Sequence, residues 1–79
     1  MIRQYVDKAL KRARYTKLED GTFCGEVLRL RGVLAIGDTL AECRNQVSEV
    51  VEEWVLVRVA RGLPIPPIGK VQVKVRKAG

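Results

Sequence analysis

The stretch from Gly32 to Pro67, GVLAIGDTLAECRNQVSEVVEEWVLVRVARGLPIPP, decides the fold of this chain. It reads as a short strand, a tight turn, one long helix and a proline-rich stop. Val33 to Ile36 form a β-prone run after the turn at Gly32. Thr39 followed by Glu42 fits the reciprocal capping box of a helix start, and Asp38 adds negative charge beside the positive end of the helix dipole. Leu40, Cys43, Val47, Val50, Val51, Trp54 and Val55 or Leu56 then recur at steps of three and four, the period of one helical face. Valine is not a favoured helix former, and VLVRV at 55–59 read alone suits a strand. The capped start, the unbroken stripe and the basic last turn at Arg58 and Arg61 outweigh it. Gly62 stands where a left-handed residue closes a helix, and LPIPP at 63–67 cannot continue one. That last segment is expected to cross the surface in an extended form.

Upstream, YTKL and TFCGEV flank Glu19-Asp20-Gly21. Asp-Gly between two short β-forming runs signals a hairpin, because glycine accepts the positive φ that the turn needs. The strands are predicted at 15–18 and 22–30. In the second, Phe23 and Val27 fall on one face while Leu28 and Leu30 fall on the other, so a bulge or bend near Val27-Leu28 is required. The opening MIRQYVDKALKRARY places Ile2, Tyr5, Val6, Ala9, Leu10 and Ala13 on one apolar stripe, which predicts a helix over 1–14. At the other end KVQVKVR alternates Val71, Val73 and Val75 with Lys70, Gln72, Lys74 and Arg76. That pattern predicts a half-buried edge strand over 70–76, with lysines discouraging unwanted pairing. The expected order is α-β-β-β-α-β: an α+β domain with a mostly antiparallel sheet and its helices on one face.

The chain has 79 residues, enough for one domain, 1–79, with a single layer of helix on sheet. No charged-then-apolar leader and no apolar run long enough to span a bilayer occur, so a cytoplasmic protein without membrane contact is expected. The formal net charge of +6 hides a block pattern. Residues 1–17 hold six cations against Asp7, residues 58–79 hold six cations and no acid, and residues 18–57 hold eight acids against Arg29, Arg31 and Arg44. Asymmetry of this kind bears on partners rather than on fold.

With no histidine in the chain, the commonest general base and the Cys/His and Ser/His nucleophile pairs are missing. Cys24 and Cys43 offer neither a zinc-ligand spacing nor a CxxC pair. They read as two small buried thiols, a disulfide between them being possible but not favoured in a cytosolic chain. Carboxylates are the remaining catalytic groups, and a two-metal nuclease would need several of them at one point. Glu49, Glu52 and Glu53 share a helical side by spacing, but that side is where acids are usually solvated. No phosphate-cradling glycine loop precedes a helix. The residues therefore point to no catalytic site, no metal and no cofactor. A nucleic-acid surface has more support: Arg3, Lys8, Lys11 and Arg12 on the first helix and Lys70, Lys74 and Arg76 on the last strand could form one basic patch.

LEDGTFCGEV, GVLAIGDTLAECRNQVSEVVEEWVL and GLPIPP, taken together, resemble the HicB family of antitoxin domains. The shared marks are the Asp-Gly hairpin, the Gly-Val strand, the Gly-x-Thr-Leu helix start, the Glu-Glu-Trp helix end and the Leu-Pro-x-Pro exit. They cover roughly Tyr15 to Pro67, so the family-like core is 15–67. The resemblance implies a truncated RNase H-like fold whose fourth strand lies beside the first. It implies a domain that binds and silences a small basic mRNA-cleaving toxin of the HicA type, and that self-associates as a dimer or tetramer. Relatives often carry a proline-acid-leucine-proline stretch before the Gly-Val strand, where this chain has Leu28-Arg29-Leu30-Arg31. No separate DNA-binding domain is expected within 79 residues. The acidic centre suits a basic toxin, with Glu19, Asp20, Glu26 and Asp38 as candidate contacts. The alternative is a small basic nucleic-acid-binding module without catalytic activity. Self-association also follows from a short chain that is 47% apolar and has trouble covering itself.

Overall fold

A computed structural model describes residues 2–68. Five elements follow one another: α1 (Ile2–Arg12), β1 (Arg14–Lys17), β2 (Phe23–Glu26), β3 (Leu34–Gly37) and α2 (Leu40–Arg61). This is the expected α+β order as far as the described residues go; the strand expected at 70–76 lies outside them. The sheet is an antiparallel meander, β1-β2-β3. Its register sets Tyr15 against Gly25 and Gly25 against Ala35, with Arg14, Glu26 and Leu34 in the next row.

The β1–β2 turn forms as its residues predict. Gly21 has φ 90°, its N–H donates to the Leu18 carbonyl at 3.0 Å, and the Leu18 N–H donates to the Thr22 carbonyl at 2.7 Å. The strand predicted over 22–30 is corrected: β2 ends at Glu26, and residues 27–33 form a loop. The loop closes on itself through Leu30 N–H to the Val27 carbonyl at 3.0 Å and Val33 N–H to the Leu30 carbonyl at 3.2 Å. The reason is the conflict of phase already visible in the residues. A straight strand would send Val27 and Leu30 to opposite faces, whereas the loop buries both with Val33 and leaves Leu28 out in solvent.

α2 starts and stops on its own chemistry. Thr39 Oγ1 accepts the Glu42 N–H at 3.1 Å. The Glu42 carboxylate reaches one residue further back than a reciprocal box requires and accepts the Asp38 N–H at 3.0 Å. At the far end Gly62 has φ 66°. Its N–H donates to the Val59 carbonyl at 3.2 Å and the Leu63 N–H to the Arg58 carbonyl at 2.9 Å, which satisfies two otherwise orphaned helix carbonyls.

The core lies between α1, α2 and the sheet. α2 crosses β2 and β3 with Cys43, Val47, Val51 and Val55 fully buried, and α1 packs along α2 through Tyr5, Val6, Ala9 and Leu10. Leu40, expected on the buried stripe, is half exposed, and of the alternatives Val55 and Leu56 it is Val55 that is buried and Leu56 that is half exposed, because the stripe that meets the sheet repeats every fourth residue from Cys43. Two glycines let α2 come this close. A Cβ at Gly25 would lie 2.7 Å from Val47 Cγ2, and one at Gly37 would lie 2.8 Å from Cys43 Cα. The segment after α2 is more than a surface crossing: Ile65 and Ile68 are buried in the core. The Tyr5 hydroxyl donates to the Pro66 carbonyl and Arg58 Nη1 donates to the Pro64 carbonyl at 3.1 Å, tying the exit to both helices.

Candidate functional site

Where β3 ends, the chain must turn into α2 within two residues, Asp38 and Thr39. The side of α2 that faces away from the core presents Glu42, Asn45, Gln46 and Glu49, at spacings of three, four and seven from Glu42. Together with Ile36, Gly37 and Asp38 these residues line a shallow cleft of about 410 Å³. Among the described residues the lining comprises three carboxylates and two side-chain amides around the apolar Ile36, with no cation. One carboxylate already has a partner, since Glu42 accepts the Asp38 N–H. The cleft is open to solvent, so its acids act as a field of negative charge that suits Arg or Lys side chains of a partner.

The four acidic residues singled out from the sequence do not assemble. Asp38 lines the cleft. Glu19 and Asp20 occupy the β1–β2 turn at the same end of the sheet. Asp20 serves that turn: its carboxylate accepts the Thr22 N–H at 3.0 Å and the Thr22 hydroxyl at 2.6 Å. Those two hydrogen bonds hold its carboxyl below the usual Asp range. Glu26 sits at the opposite end of β2, in register with Arg14 and Leu34, on the sheet face turned away from α2. Glu42 and Glu49 were not among the sequence candidates for partner contact. Their signal was present as helical spacing from Asp38 onward, but it was interleaved with the apolar stripe.

Glu49, Glu52 and Glu53, which spacing puts on one side of α2, open onto three different clefts. Glu49 faces the acidic cleft, Glu52 lies beside Ile2, Arg3, Val6 and Leu56, and Glu53 lies beside Val50, Trp54, Val57, Arg58 and Leu63. Among the described residues no group of three or more His, Cys, Asp or Glu side chains is arranged to hold a metal ion. The basic candidates of α1 also diverge. Arg3, Lys11 and Arg12 are exposed and Lys8 is half-exposed. Arg3 shares its cleft with Glu52, while Arg12 lines another of about 350 Å³ with Val27, Leu28, Arg29 and Ile68. Lys70, Lys74 and Arg76 lie outside the described residues.

Both thiols are free. Cys43 is fully buried, and burial pushes its thiol pKa up. Cys24, expected inside, is only half-buried, because strand alternation turns it to the sheet face opposite Gly25. Tyr5 and Tyr15 are each raised above the ordinary tyrosine value by burial, an effect opposed by Arg29 and Arg58 at Tyr5 and by Arg44 at Tyr15. The Tyr15 hydroxyl is buried and has no hydrogen-bond partner among the described residues. None of the helices among the described residues is long and apolar enough to cross a membrane.

Helix, antiparallel meander and capped helix, with an acidic cleft at the strand-to-helix junction, define a small α+β domain. The chain belongs to the UPF0150-like family, whose model matches residues 4–66. It is similar to a solved structure, the crystal structure of TTHA0281 from Thermus thermophilus. The two share 34% identity, with a TM-score of 0.88 over 96% of this chain and 95% of that one. No curated protein is a significant match.

Proposed function

We propose that this chain is a HicB-type antitoxin, which keeps a small basic mRNA-cleaving toxin of the HicA type silent by protein–protein contact. The observation that carries the reading is membership of the UPF0150-like family over residues 4–66, a family associated with toxin–antitoxin systems. The HicB-like marks fall within the same stretch. The acidic cleft adds the chemistry of the partner: Asp38, Glu42 and Glu49 at one shallow site suit a cationic surface, and like-signed surfaces would be turned away. On this reading the protein binds and does not catalyse, and its working compartment is the cytoplasm where the toxin meets RNA.

The test is to purify the chain with the product of a neighbouring toxin gene and to assay RNA cleavage. A complex that suppresses cleavage, and that weakens both with salt and in the Glu42→Lys/Glu49→Lys double variant, supports the reading. Finding neither a complex nor loss of cleavage would reject it. A second reading is favoured by one observation, the cleft in which Arg12 and Arg29 lie beside the exposed Leu28. Here the domain is a small nucleic-acid-binding module in which α1 and the 27–33 loop meet phosphates. Such binding must fall steeply with salt. RNA or DNA association that is absent or insensitive to salt would eliminate it.

A further inference from the structure

The loop from Val27 to Val33 holds its exposed residues in place. Val27, Leu30 and Val33 are buried in the core, and the Val27 N–H donates to the Val33 carbonyl at 3.3 Å, so the loop is pinned at both ends and at its middle. Left outside are Leu28, 65% exposed, and the exposed Arg29 and Arg31. Arg12, the last residue of α1, stands beside this loop. Arg12, Val27, Leu28, Arg29 and Ile68 line one cleft of about 350 Å³, within the usual size of a ligand pocket, about 300–1,000 Å³. Val27 and Ile68 are buried and form its floor, while Leu28 and the two arginines stand exposed at its rim. Among the described residues no carboxylate lines it. Two like charges at one cleft repel each other, and a bound anion offsets that repulsion.

The lining also discriminates between kinds of anion. A nucleic-acid strand calls for a run of cations along its backbone and for aromatic faces on which its bases stack. Among the described residues no aromatic side chain lines this cleft, and Arg3, at the other end of α1, lies in a separate cleft with Glu52. A phosphate backbone would also leave Leu28 and the apolar floor uncovered. An acidic peptide segment meets both halves of the site. One aliphatic side chain covers Val27 and Ile68 and packs against Leu28, which removes apolar surface from water. In an extended peptide the side chains two residues before and after it point the same way, so carboxylates there reach the rim. Each guanidinium then offers a carboxylate a two-pronged hydrogen-bonding edge.

We propose that the cleft between the end of α1 and the 27–33 loop binds an acidic peptide segment of a partner protein, with one aliphatic side chain on the Val27–Ile68 floor and flanking carboxylates on Arg12 and Arg29. The proposal does not depend on the toxin reading, since the acidic cleft lies at the other end of β3 and has the opposite charge. Its test is to titrate the isotope-labelled full chain with a capped pentapeptide, Glu-Glu-Leu-Glu-Glu, and to follow the backbone amide resonances. Saturable shifts centred on Arg12, the 27–33 loop and Ile68 are expected. Exchanging the four glutamates for glutamine, or the leucine for alanine, should weaken binding at least about tenfold. In the protein, Arg12→Glu, Arg29→Glu and Leu28→Ser should each weaken it by a similar factor. All three side chains are exposed, so these variants should keep the wild-type melting midpoint. The peptide exchanges leave the protein unchanged and decide the matter if a variant loses stability. Glu42→Lys/Glu49→Lys, in the acidic cleft, should bind the pentapeptide as the wild type does, which separates this test from that of the toxin reading. No saturable shift up to about 10 mM peptide, an affinity weaker than any useful contact, overturns the proposal. So does binding that survives all three protein variants or that the glutamine peptide matches, or a single-stranded RNA octamer that occupies the same residues more tightly than the peptide.

Discussion

Replacing Gly37 by alanine tests how α2 is seated and, through it, how the acidic cleft is built. The added Cβ would lie 2.8 Å from Cys43 Cα and 2.9 Å from the Glu42 carbonyl carbon. Carbon atoms prefer about 3.5–4.0 Å, so the overlap is roughly 0.6–1.2 Å. Both neighbours are backbone in the first turn of α2, and no rotamer change can move them. Relief requires lifting the helix start off β3. That movement strains the Thr39 cap and pulls Cys43 away from the sheet, where its thiol now meets the Ala35 carbonyl at 3.7 Å. Overpacking costs about 1–3 kcal/mol, and contact with backbone belongs at the upper end. Alanine returns about 0.4–1 kcal/mol by restricting the unfolded chain, since the backbone of Gly37 does not need positive φ. The net loss is about 2 kcal/mol, which for a domain of this size lowers the melting midpoint by about 8–16 °C. Thermal and urea unfolding followed by circular dichroism measure it. Gly25→Ala meets only side chains, at 2.7–3.0 Å, and should cost less. An unchanged or raised midpoint for Gly37→Ala, or a larger loss at Gly25, would refute the argument.

Three further outcomes are expected. Tyr5→Phe removes the hydroxyl bonded to the Pro66 carbonyl and should cost about 1 kcal/mol, whereas Tyr15→Phe removes a buried hydroxyl with no partner among the described residues and should be neutral or stabilising in the same melts. Because the Asp20 carboxyl is held below its unfolded value, its charge supports the fold above about pH 4, and that support is lost as pH falls through the lower folded value. The stability gap between wild type and Asp20→Asn should therefore shrink on acidification below that point, and a gap that widens would contradict the sign. Of the two thiols, Cys24 should react first with a disulfide reagent. Cys43 should react only on unfolding, so equal rates under native conditions would place it at the surface.

Much of this architecture was legible in the residues because it rests on local chemistry. Asp20-Gly21 carries its own turn. Thr39 and Glu42 cap a helix start wherever the rest of the chain goes, and Gly62 ends it. The stripes of α1 and α2 repeat with the helical period, so their element type follows from spacing alone. Local signals failed where competing contacts decided. The residues from Phe23 to Leu30 are all acceptable in a strand, but burying Val27 and Leu30 together requires the chain to leave the sheet. Leu40 and Leu56 fit a helical stripe, yet only one four-residue row can meet the sheet below.

Fold class, the β1–β2 turn and both helices were thus determined by the sequence itself, because hydrogen bonds between near neighbours and the period of apolar residues need no distant partner. Which acids share a site was decided only in three dimensions. Asp38, Glu42 and Glu49 meet because α2 crosses β3 directly above Gly37, at a separation that a residue without a side chain permits. Glu26, in the same acidic stretch of sequence, is carried to the opposite end of the sheet by the antiparallel register. Charge composition says how much acid is available; the packing distance between helix and strand says where it acts.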